Sequence, residues 1–595
     1  MKQNIAARLQ ALRENMAATA VAATIIPQSD PHQSEYISDH WQLRRYLSGF
    51  TGSAGTLVVT ADKALLWTDS RYFLQAAAQL DGTEIELMKD GLETTPTIAA
   101  WLCANLHAGQ TVGIDGMVYS AAATARLASD LEHSHLNLVA DFDPAATWTE
   151  RPPLPACPIY AHDEKYAGRK AADKISEMLS IGRRDNHADA IFISALDEIA
   201  WLLNIRSTDV AYNPVATAFL YLSPKGSTLL IDPAKVSPEM SAYLAGQGVQ
   251  TAPYSQVKEF IGALPTDITV LVEPERNAAS IVNALGARAL CGQTPVALAK
   301  ACKNSVQISG IQNAMARDGV ALVRSLMEIE RRAAGQGEPL TELGVCEILR
   351  RNRAASPLFR DESFGTIAGY GPHGAIVHYE PTAESDAAVH TGNLLLIDSG
   401  AQYLDGTTDI TRTISLGTPT PAQKRDFTLV MKGHIALATA IFPAGTTGHQ
   451  LDVLARHFLW NEGLNYLHGT GHGVGFFLNV HEGPQSVRLN HVPTPLMPGM
   501  LTSNEPGLYR ENIHGIRCEN LVLTVPAMTT EFGRFLRFQT LTLCPFDLSL
   551  FDKDIMTAQE IEWVDTYHAQ VRQTLTPLLA TDEERQWLAA HTAKL

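Results

Sequence analysis

The 595-residue sequence predicts an α/β (α+β) chain in which two related smaller domains precede a larger third one. Three observations predict it: a strand–turn–strand pattern that recurs in the first half, a proline-rich break between its two copies, and a change to long helical periodicity near Lys303. The first copy runs from the strand ATIIP through a polar stretch to TLVVTADKALLWTD (56–69), which reads as strand, turn and strand. The second begins with AIFISALDEIAWLLN (190–204), strand then helix, and reaches AFLYLSPKGSTLLID (218–232), again two strands about a turn at Lys225 and Gly226. Between them RPPLPACP (151–158) holds four prolines in eight residues, which disfavours regular structure. The expected domains are therefore 1–157, 158–303 and 304–595, the last with a C-terminal extension over about 535–595.

Ahead of the first strand, Lys2, Arg8 and Arg13 precede the apolar run 16–26, a loose imitation of a signal peptide. Ile5, Leu9, Leu12 and Met16 instead share one helix face, and Glu14 beside the run favours a helix followed by a strand. In the third domain Gln307–Arg332 reads as a helix that buries Ile308, Ile311, Met315, Leu322, Leu326 and Ile329. Gly319 takes the remaining slot on that face, where it weakens the helix or admits a close neighbour. Strands such as NLLLIDSG (393–400) then alternate with helices such as FTLVMKGHIALATAIF (427–442). The segment 543–575 ends in a helix that Thr557 caps, with Glu560 three residues on, and reads as a packing or dimer element.

Net charge is −17, from 46 basic and 63 acidic residues, with no long basic run, so nucleic acid is not an expected partner. No uncharged stretch of about 18 apolar residues occurs, and no membrane span is expected. Seven scattered cysteines without a CxxC pair argue against a disulfide framework and fit the reducing cytoplasm.

Chemistry concentrates in the last third. Asp398, Asp409, His472, Glu505 and Glu519 sit in LLLIDSGAQYLDGTTDITRT (394–413), HGTGHGVG (468–475), SNEPGLY (503–509) and GIRCENLVL (515–523). Four carboxylates and one imidazole suit two divalent cations that share a hydroxide and polarise a carbonyl. Asp398 ends a strand and Asp409 precedes DITRTISL, so a turn at Tyr403–Thr407 brings both acids side by side, a repulsion that a cation relieves. Glycines at 469, 471, 473 and 475 rule out the helical HExxH zinc-protease reading for His468 and His472 and let the backbone approach a ligand. Pro506 and Gly507 hold a turn after Glu505. Glu519 reads as part of one strand, IRCENLVL, with Arg517, Glu519 and Leu521 on one face. Arg517 is then either a salt-bridge partner or the group that orients a metal-bound carboxylate.

In this order the motifs resemble the pita-bread metallopeptidases: methionine aminopeptidase, prolidase and aminopeptidase P. AIVHYEP (375–381), SGFTGSAG (48–55), WTDSRYF (67–73) and FLRFQTLTLCPFD (535–547) extend the resemblance over nearly the whole chain, to the long three-domain aminopeptidase P of the cytosolic type. The resemblance implies a curved-sheet catalytic domain after two smaller α/β domains, and release of the N-terminal residue from peptides with proline in second position. It also implies that Asp398 chelates one metal, His472 and Glu505 the other, and that Asp409 and Glu519 bridge them. Glu505 would shuttle the proton of the attacking hydroxide. His378, His468, His472 and His481 resemble substrate-contacting histidines, the first, second and fourth of them also catalytic, and Arg71 resembles an arginine that reaches substrate from outside the catalytic domain. The implied metal is manganese at both positions, with cobalt or zinc acceptable to the same donors, and the implied assembly is a homodimer. Prolidase shares all five ligands and is the nearest rival. Creatinase-like hydrolases and binding proteins of the same fold lack them.

Overall fold

The structure is a computed structural model that describes residues 2–595. Two compact units form: the N-terminal stretch through Glu164 together with Arg169–Val296, and Lys165–Gly168 together with Ala297–Leu595.

In the first unit, helix α1 (Lys2–Ala18) buries Ile5, Leu9, Leu12 and Met16, the four residues that its periodicity selects. Six strands follow: β1 (Ala23–Pro27), β2 (Thr56–Thr60), β3 (Ala64–Thr68), β4 (Ile85–Lys89), β5 (Thr111–Gly113) and β6 (Asn137–Val139), in the spatial order 4-3-2-1-5-6. A second six follows: β7 (Ala190–Ile193), β8 (Ala218–Leu222), β9 (Ser227–Ile231), β10 (Val249–Ala252), β11 (Val270–Val272) and β12 (Ala289–Cys291), in the order 10-9-8-7-11-12. The pairings also correspond. The first strand of each set is antiparallel to the second and parallel to the fifth, and the third is parallel to the fourth. The repeat read from the sequence is thus one topology used twice. Residues 151–159, which contain the proline cluster, hold no helix or strand.

The second unit is organised on helix α2 (Ser305–Ala333), which starts in a capping box between Asn304 and Gln307. A Cβ on Gly319 would stand 2.5 Å from the Leu543 carbonyl oxygen and 3.0 Å from Leu575, so the glycine admits the C-terminal segment against the helix. Gly319→Ala gains about 1 kcal/mol of helix propensity and meets a backbone clash worth roughly 1–3 kcal/mol. A net loss of stability is expected, read as a lower melting temperature; a rise would mean that the C-terminal segment is not seated there.

After helix α3 (Glu342–Ala354) comes a three-stranded sheet of β13 (Ile367–Tyr370), β14 (Asn393–Ser399) and β15 (Ile410–Leu416), with β14 in the middle. Helix α4 spans Pro421–Ala438 rather than 427–442. Thr420 and Gln423 form a capping box that starts it early, and the apolar residues expected at its end form an edge strand instead, β16 (Ile441–Pro443). Helix α5 (Gly448–Trp460) leads to a six-stranded sheet of β16, β17 (Gly471–Gly473), β18 (Glu482–Val487), β19 (Leu501–Asn504), β22 (Asn520–Thr530) and β23 (Gly533–Thr540), with β20 (Gly507–Arg510) and β21 (His514–Arg517) as a separate hairpin. IRCENLVL is therefore not one strand. Arg517 pairs with Gly507 in the hairpin and Asn520 pairs with Asn504 in the sheet, so the chain changes sheets at Cys518–Glu519.

Helix α6 (Ala558–Leu575) carries the expected Thr557–Glu560 capping box and buries Val564, Tyr567, Val571 and Leu575 in the core of this unit. Among the described residues no helix is long and apolar enough to cross a membrane.

Candidate metal centre

The sheet change determines where two of the acids lie. Glu505 follows β19 and Glu519 precedes β22, at the point where two neighbouring antiparallel strands both leave the sheet. The crossing is held by the Cys518 N–H on the Pro506 carbonyl at 3.3 Å and the Glu505 N–H on the Thr470 carbonyl at 2.8 Å. The Glu519 N–H reaches the Thr411 carbonyl on β15 at 3.1 Å, and the Thr411 hydroxyl donates to Glu519 Oε2 at 2.8 Å. These contacts draw the β14–β15 pair to the same place. Asp398 lies opposite Thr411 in that ladder, and Asp409 is the residue before β15.

His472 arrives on β17, which packs so closely on β19 that a Cβ on Gly471 would lie 2.0 Å from the Ser503 carbonyl oxygen. His472 Nδ1 is 2.8 Å from the Gly473 carbonyl, an acceptor only, so Nδ1 carries the proton and Nε2 is left as the donor atom for a cation. That Nε2 stands 3.4 Å from both Asp409 Oδ2 and Glu505 Oε1. Ligand atoms of Asp409, His472 and Glu519 lie within 4.8 Å of one another. Ser503 connects the remaining arm, accepting the His472 N–H at 2.9 Å and donating to Glu505 Oε1 at 3.0 Å.

The acids are strained by their own company. Burial, opposed by Arg517 and reinforced by Asp409, pushes Asp398 up to about 6. Burial and the neighbouring Asp409, Asp398 and Glu505 push Glu519 well above the usual carboxylate range. Burial works against a charge on His472, yet Asp409 and Glu505 lift it to about 9. Asp398 Oδ2 takes the Arg517 Nη2 proton at 2.6 Å, whereas its buried Oδ1 has no hydrogen-bond partner among the described residues. An orphaned carboxylate oxygen, a pre-set imidazole nitrogen and crowded hard oxygen donors all fit divalent cations.

A proton count follows from these values. Cation binding needs ionised carboxylates and a neutral imidazole. Near pH 8 a metal-free His472 holds its proton, and Glu519, pushed well above the usual carboxylate range, favours its protonated form too, so uptake is expected to release protons from both. Towards pH 6 Asp398 adds a further one, and apparent metal affinity falls as pH falls. Calorimetric titration in buffers of different ionisation enthalpy measures the number; uptake without proton release would contradict the arrangement.

The other expected residues are placed as follows. The His481 ring lies edge-on to His472, with centroids 4.3 Å apart. His468 Nε2 meets the Tyr509 hydroxyl at 2.8 Å, and Arg517 Nη1 donates to the same hydroxyl at 2.7 Å. A path of hydrogen bonds thus runs from His468 to Asp398. His378 is half-buried in the turn beside Val377, whose carbonyl accepts Arg517 Nη2 at 3.2 Å. Buried Glu342 anchors that turn by accepting the Tyr379 hydroxyl at 2.7 Å and His373 Nδ1 at 2.9 Å. Arg71, in the first unit, is held in a two-pronged pair by Asp69, at 2.8 and 2.7 Å.

Sequence reasoning missed Tyr509, Thr411 and Ser503. Tyr509 had a readable signal: within SNEPGLY it stands two residues beyond Gly507, on one face of the short strand. Thr411 had none, since its partner lies 108 positions away; Ser503 showed only its place two residues before Glu505, its other partner lying 31 positions away.

Comparison with known proteins agrees with the geometry. The profile described as "Metallopeptidase family M24" matches residues 309–526, and the one described as "C-terminal region of peptidase_M24" matches 534–595. Profiles described as "Creatinase/Prolidase N-terminal domain" match 8–145 and 150–307. A probable Xaa-Pro aminopeptidase P of Sordaria macrospora is 38% identical, with 100% of both chains covered. Aminopeptidase P2 of Arabidopsis thaliana is 40% identical, with 97% of this chain and 86% of that protein covered. The crystal structure of an X-prolyl aminopeptidase from Caenorhabditis elegans, described as a cytosolic enzyme with a di-nuclear active site, superposes with a TM-score of 0.94 at 34% identity over 99% of this chain and 100% of that one.

Proposed function

The chain belongs to metallopeptidase family M24, among its Xaa-Pro aminopeptidases P, and from that membership we propose how its residues divide the work. It is a metal-dependent aminopeptidase that hydrolyses the bond between an N-terminal residue and a following proline. The observation that carries this reading is the convergence of Asp409, His472 and Glu519, with Glu505 3.4 Å from His472 and Asp398 under the influence of Asp409 and Glu505, on one largely buried cluster. Asp398 would hold one cation, His472 and Glu505 the other, and Asp409 and Glu519 would serve both. The closeness of Asp409 and Glu519 to each other and to His472 supports the bridging assignment. When bound, the cations would supply Lewis acidity for a water and the scissile carbonyl. Manganese is the proposed metal; the oxygen-rich donor set supports it and equally accepts cobalt or zinc.

The chain's own groups do the rest. Glu505, tied at Oε1 by Ser503, takes the proton of the attacking water and passes it to the leaving proline nitrogen. His378, His468 and His481 hold the peptide, and His378 and His481 donate to the developing oxyanion; His468, with Nδ1 on the Gly469 carbonyl and Nε2 on the Tyr509 hydroxyl, acts through Tyr509. Arg517 favours the ionised form of Asp398, and Arg71 is proposed, on the family resemblance alone, as a further peptide-binding residue. An Xaa-Pro bond is a tertiary amide whose ring blocks extended pairing, so the pocket must accept the ring rather than a strand.

The division into 1–157, 158–303 and 304–595 is likewise proposed, supported by one complete six-stranded sheet in each of the first two segments. A homodimer is supported by Phe532, 82% exposed, and Met528, 50% exposed, near the end of the β22–β23 hairpin. A cytoplasmic setting is supported by the seven free cysteines and the cytosolic relative.

The test is cleavage of an Arg-Pro-Pro peptide beside the dipeptide Arg-Pro, with and without chelator. Release of free arginine from the longer peptide, lost on chelation, is expected. Activity confined to the dipeptide would make the protein a prolidase.

A further inference from the structure

Arg412 lies on β15, buried to 3% exposure, three residues beyond Asp409. The five N–H groups of its guanidinium face six oxygens, three of them sharing Nη2: the carbonyls of Thr411 (2.9 Å), Glu519 (2.6 Å), Cys544 (2.8 Å) and Pro545 (3.1 Å), the Asn520 side-chain oxygen (2.8 Å) and the Tyr567 hydroxyl (3.0 Å). None of the six is a carboxylate. The cation also sits 3.9 Å above the Phe546 ring. Half of these partners, and that ring, come from residues 544–567, the segment that the sequence marks only as a packing or dimer element.

The main chain of Glu519 is consequently held on every side. Its N–H is taken by Thr411, its carbonyl by Arg412, and the preceding Cys518 carbonyl by His434 Nδ1 at 3.2 Å. Arg412 is in turn fixed by Tyr567, whose hydroxyl reaches the Cys544 carbonyl at 2.9 Å and the Thr542 carbonyl at 3.0 Å. A bridging ligand has to stay within a few tenths of an ångström of its position to serve two cations. Such outer supports govern metal affinity nearly as strongly as the ligands themselves.

We propose that Arg412 and Tyr567 are positioning residues through which the C-terminal segment fixes Glu519 and so sets the affinity of the site for its divalent cations. The proposal rests on the metal-centre reading above.

The test measures Mn²⁺ binding to the full-length, metal-stripped protein by calorimetry, together with melting temperature without metal and turnover at saturating Mn²⁺. Tyr567→Phe keeps the ring and removes one hydroxyl; it is expected to weaken Mn²⁺ binding about tenfold, while turnover at saturating metal stays within about threefold of the unaltered protein. Arg412→Met is expected to weaken binding more, and Arg412→Lys, which keeps the charge without the fork, to recover part of the loss. Should Arg412→Met fail to fold, Tyr567→Phe and Arg412→Lys still decide the matter. Unchanged Mn²⁺ affinity in both, even with a lower melting temperature, would reduce the contact to packing and overturn the proposal. An unaltered protein that binds no Mn²⁺ stoichiometrically would instead remove the metal-centre reading itself, a distinguishable failure.

Discussion

Asp409→Ala is expected to remove at least about a thousandfold of turnover, because Lewis-acid activation by the metal pair is worth several kcal/mol and each 1.36 kcal/mol is tenfold. Metal content should fall with it. Stability should behave differently. In the metal-free protein Asp409 is one of the charges that push Asp398 and Glu519 upwards; its removal relieves that repulsion but also ends its pair with His472, so the metal-free melting temperature should change little. The unaltered protein should gain melting temperature on adding Mn²⁺, since a ligand that binds only the folded state stabilises it, and the variant should not. Normal turnover by Asp409→Ala would refute the bridging role.

His378→Ala separates substrate chemistry from metal holding. The turn that contains His378 is anchored elsewhere, through Tyr379 and His373 on Glu342 and through the Val377 carbonyl on Arg517. Losing the imidazole therefore leaves the backbone and the Arg517–Asp398 pair in place. Removing one preorganised donor to a developing oxyanion costs on the order of a hundredfold in turnover, and metal content should stay near that of the unaltered protein. Parallel loss of metal and turnover would make His378 a ligand instead.

Local periodicity made much of this legible. The long helix from Ser305 announced itself by apolar residues at helical spacing, and the duplicated sheet by turn residues at matching positions. Turn signals and glycine-rich stretches likewise marked the five proposed donors. What stayed hidden was non-local. Alternation runs unbroken through Arg517, Glu519 and Leu521, so nothing in the sequence shows the strand parting between sheets at 518–519. Helix α4 began early because of a threonine–glutamine cap, and its expected apolar end paired with a strand nearly a hundred residues later. Arg412 looks like an ordinary strand residue until Tyr567, 155 positions away, meets it.

The parting of the strands also bears on how this chain can vary. Glu505 and Glu519 stand at the two feet of one hairpin, and the legs between them, 507–510 and 514–517, are locked residue against residue. Adding or deleting one residue in either leg would turn the following side chains to the opposite face and lift one donor out of reach. The tip at 511–513, with Ile513 57% exposed, bears no such restriction. Length is thus frozen in the legs and free at the tip. A loop grafted at 511–513 should leave catalysis intact, which makes that point a natural place to attach a reporter or to acquire a new surface.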